Sequence, residues 1–372
     1  MHIPYCVSKC RYCDFNSYAG SGHDTSKYVD SLCTEIRARV RSSPPTIFMG
    51  GGTPTYLSTK DIETLLSTLA DVGALGEHLQ EFTVEANPES ATKEKLTLLL
   101  SSGVDRLSLG VQSFDPAYLK MFDRVHSVDE VAAAVVAARE SGFTRLNLDL
   151  IFAKPNEPLA HWMNDLECAI ALNPDHLSCY ELAFEEGTTL RRDLLNGRVD
   201  EQTEEARWQF FVDTIARNAG AGFYQYETSA FSKPGQMCLH NLVYWTSGNW
   251  IGVGAGAANS FDRTKSSNIK NPEAYIKSIQ ETGNAIDINT VETVDSHIRL
   301  GEIMMMGMRL LGGLRIDMIR GKAAGASMLQ FEAEVERLIG DGLLSIENGW
   351  LCPTPRGRDL GNVVASRFLK LH

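Results

Sequence analysis

The chain has 372 residues, 43% of them hydrophobic, and a formal net charge of −12 at pH 7. That length suits a large α/β barrel with a small appendage, and the acidity argues against a general nucleic-acid binder. No apolar run reaches the roughly 20 residues of a membrane span; no signal or transit segment precedes the first motif; and the eight cysteines imply a reducing compartment with thiols kept for chemistry.

The first element is a loop, His2-Ile3-Pro4-Tyr5-Cys6-Val7-Ser8-Lys9-Cys10-Arg11-Tyr12-Cys13-Asp14-Phe15, with the spacing C-x3-C-x2-C. Three thiolates so close in sequence can hold three irons of a [4Fe–4S] cube and leave the fourth iron open to a small molecule. A structural zinc site is the alternative. Zinc wants four ligands, usually as two C-x2-C halves, and Cys33, Cys168, Cys179, Cys238 and Cys352 are scattered singly.

From there apolar runs alternate with helical patterns. The runs fall at 46–49, 81–86, 106–111, 145–152, 176–184 and 223–231, and the helices at 27–41, 59–72, 92–102, 127–141, 159–172 and 201–219. In the last helix Trp208, Phe211, Val212 and Ile215 recur at helical spacing. Strands alternating with helices predict a parallel sheet or barrel, with functional residues at the carboxyl ends of the strands. Distinctive polar groups stand at those ends: Gly50-Gly51-Gly52-Thr53-Pro54, then Glu85-Ala86-Asn87-Pro88, then Gly110-Val111-Gln112-Ser113-Phe114, then Asn147-Leu148-Asp149-Leu150. Glycines let a backbone pass close to a ligand. Any one of Glu85, Gln112 and Asp149 could be a satisfied core polar group or a cap, but three in series favour a shared polar ligand.

Together the H-I-P-Y-C-x3-C-x-Y-C-D-F loop, G-G-G-T-P, E-A-N-P, G-V-Q-S-F and N-L-D-L resemble the radical S-adenosylmethionine (SAM) family of oxygen-independent coproporphyrinogen III dehydrogenases and their haem-chaperone relatives. The resemblance spans nearly the whole chain and implies a partial (β/α)6 barrel with a C-terminal helical, winged-helix-like domain. It implies that Cys6, Cys10 and Cys13 ligate the cluster, and that Gly51, Gly52, Thr53, Glu85, Gln112, Arg124, Asp149 and Ala183 contact SAM. Phe15 stands where the dehydrogenases carry a further Cys, and Asp14-Phe15-Asn16-Ser17 resembles the chaperones instead. His240-Asn241-Leu242-Val243-Tyr244-Trp245 resembles the chaperones' haem motif, with His240 as iron ligand and Tyr244 and Trp245 offering aromatic faces to the porphyrin.

Three segments depart from the family pattern. The strand expected before Ile3-Pro4, with its SAM-contacting Tyr, is missing, so either translation starts upstream of Met1 or the barrel edge is compromised. The D-L-x-x-G-L-P-x-Q segment reads Asp149-Leu150-Ile151-Phe152-Ala153-Lys154-Pro155-Asn156-Glu157, and the G-x-G-x-G-A-H-S segment, at 252–260, lacks its His.

Beyond Asn271 helical patterns at 272–282, 296–311 and 331–341, a hairpin of 343–346 with 350–353, and a closing helix at 359–369 resemble a winged-helix unit. The apolar, Met-rich face of 296–311 reads as core packing. The expected division is 1–235 for the barrel, 236–290 for the haem-motif segment and 291–372 for the C-terminal domain. The function expected is a haem chaperone holding a [4Fe–4S] cluster, SAM and haem. Its partners would be a haemoprotein acceptor and an electron donor such as a flavodoxin or ferredoxin, with a homodimer allowed. It would be cytoplasmic or peripheral to the inner face of a membrane. Oxidative decarboxylation of coproporphyrinogen III is the competing activity.

Overall fold

The computed structural model of the chain describes residues 1–323 and 325–369. Its centre is an eight-stranded sheet. The strands are β1 (His2–Ile3), β2 (Thr46–Gly51), β3 (Glu81–Ala86), β4 (Arg106–Gln112), β5 (Arg145–Phe152), β6 (His176–Glu181), β7 (Tyr224–Gln225) and β8 (Ala230–Ser232), in the order β1-β2-β3-β4-β5-β6-β8-β7. Pairing is parallel from β1 to β6. Between and beyond these strands run α1 (Thr25–Arg39), α2 (Thr59–Asp71), α3 (Lys93–Ser101), α4 (Val128–Ser141), α5 (Leu159–Ala171), α6 (Glu204–Gly220) and α7 (Leu239–Trp245).

The helices begin where the sequence places caps. Asp24, Ser58, Thr92, Ser127 and Thr203 each accept a hydrogen bond from a first-turn backbone N–H, which satisfies a donor the helix itself leaves free. Ser127 and Glu130 form a complete capping box. The apolar face of each helix then closes on the sheet. Leu32, Leu65, Leu99, Val135 and Leu166 all lie in the main core with Phe82, Leu107 and Leu148 of the strands.

Three expectations about the sheet change. The run 223–231 is not one strand but a tight hairpin, because the buried Glu227 accepts the Ser229 N–H at 3.1 Å and bends the chain between β7 and β8. Its second arm pairs antiparallel with β6, so only six strands are parallel. At the other edge His2 and Ile3 do pair, opposite Gly50 and Gly51. That short edge strand is held from outside by the 252–256 loop: His2 N–H donates to the Val253 carbonyl at 2.8 Å, and the Tyr28 hydroxyl donates to the His2 carbonyl at 2.8 Å. Where the expected His is missing, Asn259 closes that loop by accepting the Gly252 N–H at 2.8 Å and Arg39 Nη2 at 2.6 Å.

A second, separate apolar core holds the C-terminal residues, built on Leu300, Ile303, Met304, Leu314, Phe331, Leu351 and Phe368. The Met-rich helix, Ser296–Gly307, is core packing as its pattern suggested. The strand Leu314–Arg315 joins the expected hairpin, Leu344–Glu347 with Trp350–Pro353, to make a three-stranded wing. The closing helix splits into Pro355–Asp359 and Gly361–Leu369. No helix among the described residues is long and apolar enough to cross a membrane.

The altered D-L-x-x-G-L-P-x-Q segment carries its own compensation. Lys154 and Glu157 stand where the family pattern has Leu and Gln, and both are buried. Lys154 Nζ lies 2.7 Å from Glu157 and 3.0 Å from Asp165 of α5, and donates to the Ile151 carbonyl at 2.9 Å. Ala153, in the family's glycine position, keeps the left-handed backbone a glycine would take, with φ 58°. Removing only the ammonium leaves two buried carboxylates without their cation. Lys154→Met should therefore cost about 3–5 kcal/mol in denaturant unfolding. The double change Lys154→Leu with Glu157→Gln restores the neutral pair and leaves Asp165 to its hydrogen bonds from Ser113 and the Phe114 N–H, so it should recover part of that loss; a double variant as unstable as the single one would refute the compensation.

Candidate functional site

Above the carboxyl ends of β2 to β6 lies a cleft of about 440 Å³. Cys6, Cys10 and Cys13 line it, together with all eight residues expected at the SAM site: Gly51, Gly52, Thr53, Glu85, Gln112, Arg124, Asp149 and Ala183. Parallel strands deliver these side chains to one rim although they span more than a hundred positions of sequence. Two glycine positions admit no side chain. A Cβ on Gly52 would lie 2.7 Å from the Tyr5 carbonyl oxygen, and Gly51 takes φ 113° with the His2 ring against it. A β-bulge between Gly110 and Gln112 breaks the β4–β5 register and puts Gln112 at φ 69°, a left-handed conformation uncommon outside glycine. The bulge places Gln112 on the cleft wall.

All eight cysteines are free. Burial raises the thiols of Cys6 and Cys13 above their ordinary value. Cys6 Sγ accepts from Thr53 Oγ1 at 3.5 Å, and Cys10 Sγ accepts from Arg124 Nη1 at 3.5 Å. Among the described residues no three His, Cys, Asp or Glu side chains are placed to hold one metal ion. A cube does not ask for that convergence, because each thiolate takes a different iron. Three free thiols on one loop, hydrogen bonds already aimed at two sulfurs, and an open cleft beside them fit a [4Fe–4S] cluster. The polar rim beside them fits SAM.

The floor of the cleft is charged and buried. Glu85 accepts the Gly51 N–H at 3.0 Å. Burial, and then the negative charge of Asp149, push its carboxyl up to about 7. Burial also raises Asp149, against hydrogen bonds from Asn147 and Ser108. The buried Arg106 also lines the cleft and sets a positive charge among these acids. Sequence reading missed Asn87, Arg106, Asn147, Cys238 and Asn241 as cleft residues. Asn87 was visible as the polar residue after Glu85-Ala86, and Arg106 as a charge opening an otherwise apolar strand.

The HNxxYW segment forms α7, which closes the other end of the sheet. Glu81, the first residue of β3, accepts the Leu239 N–H at 2.8 Å and the His240 N–H at 2.9 Å, so a carboxylate caps the helix. Helical spacing distributes the motif over three faces. Cys238 and Asn241 look into the cleft. His240 and Tyr244 line a second cavity of about 870 Å³ beside β2. Leu242 and Trp245 pack on the C-terminal core. Tyr244 and Trp245 therefore lie on different faces of α7. His240 is 9% exposed, and burial pulls its ring down to about 4, so it is neutral. It stacks on Phe48 with ring centroids 5.1 Å apart, and its nitrogens contact Thr46 Oγ1 at 2.8 Å and the Tyr244 hydroxyl at 2.9 Å. A neutral imidazole suits iron, and ligation by Nε2 requires the Tyr244 hydroxyl to let go.

Comparison with known proteins agrees with this geometry. The radical SAM superfamily matches residues 1–169 and the HemN C-terminal domain matches residues 294–360. The chain is 33% identical to the haem chaperone HemW of Bacillus subtilis over 99% of its length and 98% of the relative's. It is 40% identical to HemW of Escherichia coli over 69% of its length and 68% of the relative's. Among solved structures, coproporphyrinogen III oxidase (HemN) of E. coli, described as a radical SAM enzyme, superposes with a TM-score of 0.85 at 23% identity, covering 100% of this chain and 89% of that one. At that identity the likeness concerns the fold.

The raised Glu85 carboxyl makes a pH prediction for the cofactor-free protein. Between the ordinary value of 4.5 and about 7, the folded state binds this proton more tightly than the unfolded state does. Its contribution to stability is full below that interval and is lost as pH rises through it, at up to about 1.4 kcal/mol per pH unit. Urea unfolding across the interval should show a Glu85→Gln variant whose stability falls less steeply with pH than the parent's; parallel curves would refute the assignment.

Proposed function

Because the chain belongs to the radical SAM superfamily and, within it, to the HemW haem-chaperone family, we propose that it binds a [4Fe–4S] cluster, SAM and haem and hands haem to a haemoprotein acceptor. The observation that carries this reading is the meeting of three cysteines and eight rim residues from six separate segments in one cleft. Cys6, Cys10 and Cys13 would hold three irons of the cluster and leave the fourth without a protein ligand. Gly51 and Gly52 let a ligand approach the backbone. Glu85 and Asp149 offer carboxylates to the ligand's amino and hydroxyl groups, and Arg124 offers a cation to its carboxylate. A bound cluster supplies one-electron chemistry toward SAM.

Phe15 is 62% exposed and lines the cleft at the position where the dehydrogenases carry a further Cys. It offers no thiolate there, which favours the chaperone over coproporphyrinogen oxidation. Haem belongs on α7. His240 would ligate the haem iron as a neutral imidazole; Tyr244, whose hydroxyl contacts His240 Nε2 at 2.9 Å, lines the same cavity. The division at 235 and 290 assigns α7 to a segment between the barrel and the C-terminal domain. An electron donor of the flavodoxin or ferredoxin class completes the proposal.

Anaerobic reconstitution should load about four irons and four sulfides per chain, and Cys6→Ala, Cys10→Ala or Cys13→Ala should each abolish the broad visible absorption. Loss of the cluster on Cys33→Ala or Cys179→Ala instead would name different ligands.

His240→Ala should keep iron and sulfide, lose stoichiometric haem titration and fail to activate an apo-haemoprotein. An unchanged Soret maximum and affinity would make His240 a structural residue. Formation of protoporphyrinogen from coproporphyrinogen III by the reduced, SAM-supplied protein would favour the dehydrogenase.

A further inference from the structure

Asn87 lies between the two hydrogen bonds that reach cysteine sulfur. Its Nδ2 donates to Thr53 Oγ1 at 2.9 Å, and its Oδ1 accepts from Arg124 Nη2 at 2.7 Å. Thr53 Oγ1 in turn reaches Cys6 Sγ, and Arg124 Nη1 reaches Cys10 Sγ, each at 3.5 Å. The result is one continuous arc, Cys6–Thr53–Asn87–Arg124–Cys10, assembled from the cysteine loop, the ends of β2 and β3, and the segment before α4.

The orientation of the amide follows from donor and acceptor chemistry. A guanidinium only donates, so the Asn87 carbonyl must face Arg124 and its NH2 must face Thr53. Thr53 Oγ1 is then occupied as an acceptor, and its single proton is free to point at Cys6. The backbone keeps the arc in place. The Gly110 carbonyl accepts from Arg124 Nη2 at 2.7 Å, and a Cβ on Gly110 would lie 2.9 Å from Asn87 Oδ1. A glycine at 110 is what allows Asn87 and Arg124 to lie side by side.

We infer that Asn87 is a positioning residue for the cluster: through Thr53 and Arg124 it fixes the hydrogen bonds to two of the three cysteine sulfurs and so raises the reduction potential of the bound cluster. Hydrogen bonds to ligating sulfur stabilise the reduced, more negative form, and losing them lowers the potential. The inference rests on the proposed cluster, and it makes Asn87 act through its neighbours, without touching iron.

The test uses the full chain, reconstituted anaerobically and kept free of SAM, so that any effect on SAM binding does not enter. Iron and sulfide content is measured first, and the midpoint potential then follows from an EPR-monitored redox titration. Asn87→Leu should load the parent's iron content and shift the midpoint to a more negative value. Asn87→Asp keeps an acceptor for Arg124 but turns the Thr53 proton toward itself and away from Cys6. It should give a smaller negative shift, and it serves if the Leu variant folds poorly. Thr53→Val removes that same proton. Asn87→Asp added to Thr53→Val should therefore shift the potential no further, whereas a direct effect of the Asp charge would persist. A loaded Asn87→Leu or Asn87→Asp protein with the parent's potential overturns the inference, as does a full Asp shift on the Thr53→Val background. A parent chain that takes up no iron overturns the cluster proposal instead.

Discussion

Parallel pairing of β2 to β6 is the constraint on which the rest of the molecule depends. Met49 pairs with Val84, Ala86 with Leu109, Gly110 with Asp149, and Asp149 with Ser178. In a parallel sheet every carboxyl end points the same way, so residues at the ends of successive strands share one rim. In β3 to β6 apolar residues such as Phe82, Val84, Leu107, Leu109, Leu146, Leu148 and Leu177 alternate with polar ones. The polar set, Glu85, Ser108, Asn147, Asp149 and Ser178 among it, lines the cleft.

Those polar groups are costly to bury, and the fold meets the cost with hydrogen bonds in place of solvent. Asp149 takes hydrogen bonds from Ser108 and Asn147, Asn147 accepts from Ser178, and His176 bridges Asn147 to the Tyr226 hydroxyl. This ladder crosses β4, β5, β6 and the β7–β8 turn. It lets Asp149 sit beneath a ligand site without collapsing it, because each carboxylate oxygen already has a donor. Glu85 is buried, with the negative charge of Asp149 acting on it, and this is why its proton is held so tightly.

The two ends of the sheet are thereby given to different chemistries. The cysteine loop covers the carboxyl ends, and α7 is pinned to the amino ends by Glu81, which also pairs with Arg145 at 2.7 Å. Cys238 and Asn241 reach from α7 into the cleft floor while His240 turns to the opposite side. One short helix therefore touches the cleft, the second cavity and the C-terminal core at once. Any movement that frees His240 from Tyr244 acts on a helix whose other faces contact both of those regions.

The sequence by itself determined the strand and helix order of the barrel, the three cysteines and the glycines and polar groups at the strand ends, because each rests on short-range signals: period, caps, glycine turns and close cysteine spacing. The likeness to the radical SAM family added Arg124 and Ala183 to the rim and gave all these residues their expected roles. The tertiary structure alone decided how distant residues complete one another. The hairpin at 226–229 depends on a buried carboxylate, and the Lys154–Glu157 pair needed Asp165 from α5 to be seen as a network. Asn87 became a bridge only when Thr53 and Arg124 came to either side of it. The three faces of α7 likewise depend on what packs against it, since Tyr244 and Trp245 are neighbours in sequence but point along a helix to different surroundings. Local propensity is written in adjacent residues, whereas the partner of a buried polar group is chosen by the packing of segments far apart in the chain.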